Sequence, residues 1–249
     1  MLTAKTGIPE SICINDRMIR LIVRFNWQAR HMRLRLNHKN QIVVSVPSYF
    51  SNRDVLSFIE RQYAWMEKQV ALLPKAASIS DWLAEHPWIS ADGKRLRTRV
   101  QRVDGQPASY QFGNDGLSLA FCIPVSSRSA DDALLKLIRL FSNDVLASRL
   151  AYHAKRLNFE FERLTVRDQA TRWGSCSGKR CISLNWRLVL VAPELQDYVI
   201  LHELAHLTEM NHSERFWNLV DRYDPLRRSH EAALKKVTAS VMHVGRSCS

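Results

Sequence analysis

The chain has 249 residues, 46% of them hydrophobic and 24% charged, a globular balance that allows one large domain or two small ones. It has no apolar run near the ~20 residues of a membrane span, no apolar leader in MLTAKTGIPESICIND, and five scattered cysteines (Cys13, Cys122, Cys176, Cys181, Cys248), so a soluble cytoplasmic protein without membrane contact or a disulfide framework is expected. The net charge of +12 permits contact with nucleic acid, nucleotides or acidic proteins, and its densest cluster, Arg17 to Lys39, holds seven Lys/Arg and no Asp/Glu.

Along HMRLRLN, Met32, Leu34 and Leu36 alternate with Arg33, Arg35 and Asn37, the period of a half-buried strand. Lys39-Asn40 is expected to turn the chain into a second strand, Ile42 to Val46, which Pro47 ends. The next segment, Ser51 to Leu73, reads as one amphipathic helix with Val55, Phe58, Ile59, Tyr63 and Met66 on its apolar side. GKRLRTRVQRV alternates again, with Arg95, Arg97 and Arg99 on one face. ASYQF and LSLAFCI, joined through Gly113-Asn114-Asp115-Gly116, predict a hairpin. Residues 1–127 are therefore expected to be a mainly β part with one helix and basic strand faces, suited to recruiting a substrate or contacting nucleic acid or nucleotides.

Residues 128–249 are expected to hold the chemistry. Ser129 followed by Asp132 predicts the capped start of a long helix bearing Leu134, Ile138, Phe141 and Val145. A short strand is expected at Leu164 to Arg167, then a Gly/Ser-rich loop, TRWGSCSGKR. A strand follows from Ile182 to Leu190, with Ile182, Leu184, Trp186 and Leu188 on one face. Pro193 suits the first turn of the next helix, Asn211 a left-handed stop, and Ser213 the cap of another helix.

That next helix carries HELAH. His202 and His206 are four residues apart, about 40° around a helix and one turn along it, so both imidazoles can reach one ion. Glu203 projects beside them, near enough to touch a water on that ion without binding it. A catalytic zinc takes three protein ligands and keeps a position for water. His212 would lie about 9 Å further along a straight helix, but a stop near Asn211 would fold it back to the metal. Glu209 is the rival third ligand. The competing reading is two hydrogen-bonded core histidines and one loop histidine; HExxH, a third His and a break between them favour the metal.

At this point the chain resembles the YgjP-like metallopeptidase family, relatives of the SprT-like and WLM zinc peptidases. The resemblance rests on Arg172-Trp173-Gly174-Ser175-Cys176-Ser177, on Leu184-Asn185-Trp186-Arg187-Leu188, on Tyr198 and HELAH, and on Asn211-His212-Ser213 with Phe216-Trp217. The basic segment Arg33 to Pro47 and Ala64-Trp65 extend it toward the N-terminus. It is strongest over residues 165–217. It implies an α+β fold with a zincin-like core, zinc as cofactor held by His202, His206 and His212, and Glu203 as catalytic base in peptide hydrolysis. The protein or peptide substrate would lie along the strand Ile182 to Leu190. Tyr198, Tyr223 and His230 are candidates for stabilising the oxyanion. Cys176 and Cys181 read as free thiols, and Trp173 and Trp186 as core, with a binding role open for Trp173. Two other functions stay in view: a metal-dependent phosphohydrolase acting on nucleotides, and a nucleic-acid-associated protein with a structural metal.

Overall fold

Apolar alternation in the first fifty residues builds a four-stranded mixed sheet. Its strands are β1 (Ser11–Ile14), β2 (Arg17–Phe25), β3 (Arg33–Leu36) and β4 (Ile42–Val46), in the order β1-β2-β4-β3. A computed structural model describes residues 7–15, 17–37, 41–71 and 78–246 of the chain; the expected turn at Lys39-Asn40 lies outside them. The β3 and β4 strands form where the alternation predicts, and β1 and β2 join them. Helices α1 (Asn52–Arg61) and α2 (Tyr63–Ala71) cover one face, where Val55, Ile59, Met66 and Val70 meet Ile19, Leu21, Val44 and Val46. The single helix expected over residues 51–73 is thus two. Gln62 leaves the helix near φ −94°, ψ 5°, the sparsely allowed bridge region, with its N–H shared between the Phe58 and Ile59 carbonyls. Ser51 and Asp54 close a reciprocal capping box at the start of α1.

This sheet and its helices belong to one compact unit, Met1–Ala76 with Arg246–Ser249; the other is Ala77–Gly245. The boundary read from the sequence at 127/128 falls inside the second unit. There, α3 (Ile79–Glu85) is followed by β5 (Trp88–Ala91), β6 (Lys94–Val103), β7 (Ser109–Phe112) and β8 (Ser118–Pro124), in the order β5-β6-β8-β7. The β7–β8 hairpin matches expectation, as do the exposed Arg95, Arg97 and Arg99 around buried Leu96. With α1, α2 and α3, residues 1–127 carry three described helices instead of one.

The 28-residue helix α4 (Ala130–Leu157) starts where Ser129 accepts a hydrogen bond from the Asp132 N–H, and ends at Asn158 in the left-handed conformation. Its Phe141 is fully buried, with Phe121 edge-on at 5.8 Å and Tyr110 at 5.2 Å. A ring buried this way stabilises the fold by about 1.5–3 kcal/mol.

A third sheet holds β9 (Arg163–Arg167), β10 (Gly174–Cys176) and β11 (Cys181–Asn185), in the order β10-β11-β9. Part of the expected loop is therefore a strand, and the expected strand to Leu190 stops at Asn185. Residues Trp186–Leu190 form a 3-10 helix, capped by the Asn185 side chain accepting from the Arg187 N–H. All five are buried, so their alternation does not sort an inner face from an outer one. Arg187 is wholly buried, donating to Asp168 and to the Val244 carbonyl and lying 4.4 Å from the Trp186 ring. Three more helices complete the unit: α5 (Pro193–Ala205), α6 (Glu214–Tyr223) and α7 (Arg227–Val241). The whole is a mixed α+β chain with seven α-helices and three mixed sheets among the described residues. None of the described helices is long and apolar enough to cross a membrane.

Candidate metal centre

Pro193 occupies the first turn of α5, and the helix then buries Tyr198, Val199, Ile200, Leu204 and Ala205. His202 and Glu203 sit on its last turn, and His206 is the C-cap. The helix ends earlier than expected. Turn hydrogen bonds run from Leu207 to Leu204 and from Thr208 and Glu209 to Ala205, and Asn211 is not among the positive-φ residues. His206 helps close this turn: its Nδ1 lies 3.0 Å from the Glu209 carbonyl. A carbonyl only accepts, so Nδ1 carries the hydrogen and the Nε2 lone pair is left free for a metal.

The reversed chain then starts α6. Ser213 caps it by accepting from the Phe216 N–H, and His212 immediately precedes the cap. His212 Nε2 comes to 3.1 Å from His202 Nε2. Donor atoms of His202, His206 and His212 all lie within 4.8 Å of one another, so the three could hold one metal ion. The Glu209 carboxylate is not part of that group; its contribution is the backbone carbonyl. The two Nε2 atoms face each other closely enough to share a proton or to ligate one cation. The charge state of His202 suits a cation. Burial, with His206 and His212 beside it, pushes its pKa down to about 3, which keeps the ring neutral and its lone pair available.

Aromatic rings brace the histidines. Phe216, fully buried, stacks on His206 with centroids 4.4 Å apart and planes at 26°. Trp217 stacks on His212 at 5.4 Å and 26°, and the Arg227 guanidinium lies 4.5 Å from the Trp217 ring centre. The sequence marked Phe216-Trp217 only as part of a motif. Their packing role follows from their place on the first turn of α6, directly after His212.

Glu203 is 5% exposed, and its Oε2 has no hydrogen-bond partner among the described residues. Burial raises its pKa to about 8, against a smaller opposing effect of Arg172. The strand β10 presses against it. A Cβ built on Gly174 would stand 2.5 Å from Glu203 Oε1 and 2.7 Å from its Cγ, so only glycine leaves the carboxylate its seat. Gly174→Ala should keep the metal content and lower the turnover number about 100-fold, the usual cost of shifting a reacting group by about 1 Å. Unchanged turnover in Gly174→Ala would remove this role. The motif alone gave Gly174 no function; only the contact with Glu203 does.

Other candidates fall into place. Tyr198 is buried, edge-on to His202 at 6.0 Å, and burial pushes its pKa up to about 12. Tyr223 stands edge-on to Phe159, and His230 Nδ1 contacts Asp224 at 2.7 Å. Tyr198, Tyr223 and His230 border a cavity of about 290 Å³ whose wall includes the Arg149–Asp197 ion pair and His153. Trp186 is core, and Trp173, 9% exposed, donates from its indole N–H to Thr238. Cys13, Cys122, Cys176 and Cys181 are free thiols, and Cys248 lies outside the described residues. Burial and the nearby Glu203 push Cys176 up to about 11, which makes it a poor nucleophile. The expected substrate strand is corrected as well. In its sheet β11 is central, paired on both sides, and the edge nearest Glu203 is β10.

The model of the YgjP-like metallopeptidase domain matches residues 30–237. The chain belongs to the YgjP-like metallopeptidase family. Membership implies a metal-dependent peptidase, and the histidine cluster is where this chain could hold the metal. Two solved structures are similar over part of the chain. The metallopeptidase zymogen of Pyrococcus abyssi abylysin is 23% identical over 37% of this chain and 95% of that one, with a TM-score of 0.34. That of Methanocaldococcus jannaschii jannalysin is 26% identical over 37% and 94%, with a TM-score of 0.33. Likeness of this extent places no residue in this chain. No curated protein matches it.

Proposed function

We propose that this YgjP-like chain is a zinc-dependent metalloendopeptidase of the zincin type, with HELAH as its active-site helix. His202, His206 and His212 would hold the zinc, and Glu203 would serve as general base. The observation that carries the reading is the convergence of three imidazole donors beside one buried carboxylate whose Oε2 has no hydrogen-bond partner among the described residues. Zinc bound there would supply Lewis-acid polarisation of a carbonyl and activation of water near neutral pH.

The chain's own residues do the rest. Glu203, walled in by Gly174 and kept from bulk water, takes a proton from the attacking water and returns it to the leaving amine. Of the three oxyanion candidates, Tyr198 stands edge-on to His202 at 6.0 Å. A protein or peptide substrate would lie along the outer edge of β10, which among the described residues pairs on one side only, adding its backbone as a further strand.

The test is a parallel screen of the purified chain on quenched peptides, casein and nucleoside triphosphates. Peptide cleavage abolished by a chelator and restored by zinc is the expected result. Phosphate release that needs magnesium or manganese, without peptide cleavage, would replace this reading with the phosphohydrolase one.

A further inference from the structure

We propose that the first unit binds single-stranded nucleic acid, through arginines of β2 and β3 and through the bare aromatic rings of Trp27 and Tyr49. The reading is independent of the peptidase assignment, because none of these residues belongs to the metal centre.

The charge comes first. From Arg17 to Arg53 the sequence has eight Lys/Arg and no Asp or Glu. Sheet register orders part of this charge. Arg24 on β2 and Arg33 on β3 are both partnered with Ser45 of the central strand β4, so they flank it in one row, about 9.5 Å apart. Arg35 stands two residues on from Arg33, on the same face. All three are exposed, and among the described residues none of them forms an ion pair. The row has no built-in acidic partner, and a polyanion would supply one.

The rings come second. Phe25 is 52% exposed, Trp27 81% and Tyr49 70%. Phe25 ends β2 on the Val46 face, opposite Arg24, whereas Trp27 lies in the β2–β3 loop and Tyr49 follows β4. The Tyr49 hydroxyl donates to the Arg30 carbonyl at 2.8 Å, which ties the segment after β4 to that loop. Among the described residues of this unit, every exposed large hydrophobic residue is aromatic; Tyr63 and Trp65 are the others. Aliphatic side chains such as Leu21, Val44 and Leu34 are turned toward α1 and α2.

Together these choose the occupant. A membrane-seeking surface would expose aliphatic wedges as well. An acidic peptide would match the arginines but leave the rings without a use. A single strand matches both, because its phosphates suit planar guanidinium groups and its unpaired bases stack on flat rings. A duplex hides its base faces and would engage only the charge.

The experiment is fluorescence anisotropy of fluorescein-labelled (dT)20 and (U)20 with the full chain, over a series of salt concentrations. The parent should bind, with log K falling against log salt at a slope of about −2, three phosphates at about 0.7 each. Arg24→Ala/Arg33→Ala should flatten that slope by about 1.4. Trp27→Ala/Tyr49→Ala should weaken binding about tenfold or more with the slope kept, since stacking releases no counterions. Arg97→Ala/Arg99→Ala removes two exposed arginines from the other unit and should cost far less. All six positions are exposed, so thermal melts should coincide with the parent's. Four results would each overturn the proposal: no binding by the parent, equal loss in the Arg97/Arg99 control, no loss in Trp27→Ala/Tyr49→Ala, or binding to phosphatidylserine vesicles with none to either oligonucleotide.

Discussion

Glu203→Gln is expected to keep the fold and the zinc and to lower peptide hydrolysis about 10³-fold or more. The change is nearly isosteric, and the amide fits the seat that Gly174 leaves. It cannot take a proton, and a well-placed general base is worth about 10²–10⁴-fold. Zinc content and turnover measured on the same preparation decide the matter: an active variant, or one that has lost its zinc, would contradict the assigned role. Stability gives a second readout on chelator-treated protein. Burial raises the Glu203 pKa from 4.5 to about 8, so its favourable contribution is present below pH 4.5 and lost as pH rises through 8. Above pH 8 the metal-free parent carries a buried charge that the glutamine variant lacks. Metal-free Glu203→Gln should therefore melt higher than the metal-free parent at pH 9, and nearly with it at pH 5.

His206→Ala should reduce bound zinc from about one per chain to a trace. His206 loses more than its own donor atom, because its Nδ1 also closes the turn through the Glu209 carbonyl. Removing a mere hydrogen-bonding partner of a ligand costs about 10–100-fold in affinity, and loss of the ligand should exceed that. His202→Ala should behave alike. His212→Ala should be milder, since His212 is exposed and two donors on α5 and its cap remain. Elemental analysis after dialysis, with chelator competition to rank the three, is the measurement. Parent-like zinc in His206→Ala would refute the ligand set.

The parts of the site that lie within one stretch of chain were legible. HELAH places two imidazoles on one helical face by periodicity alone. The Ser213 cap and the need for a break before His212 also follow from local rules. The break itself was misplaced. Asn211 has the residue type of a left-handed stop, but the helix already ends at Ala205, where the His206 side chain satisfies the turn. The strand expected to Leu190 failed for a related reason. Alternation separates faces only when one side meets solvent, and Trp186–Leu190 is buried all round.

Sequence alone determined the strands β3 and β4, the capped start of α4 and the helix bearing His202 and Glu203, and it singled out His212 as the histidine to join them. Each depends on backbone preferences and on hydrophobic periods that act over a few residues. Only the tertiary structure decided that β10 crosses the Glu203 carboxylate, so that Gly174 must lack a side chain. It alone stacked Phe216 and Trp217 on the histidines, and set Arg24 beside Arg33 across β4. Those contacts join residues that are 5 to 29 positions apart. Steric exclusion and close packing between such groups exist only once the chain has folded, and no local propensity encodes them.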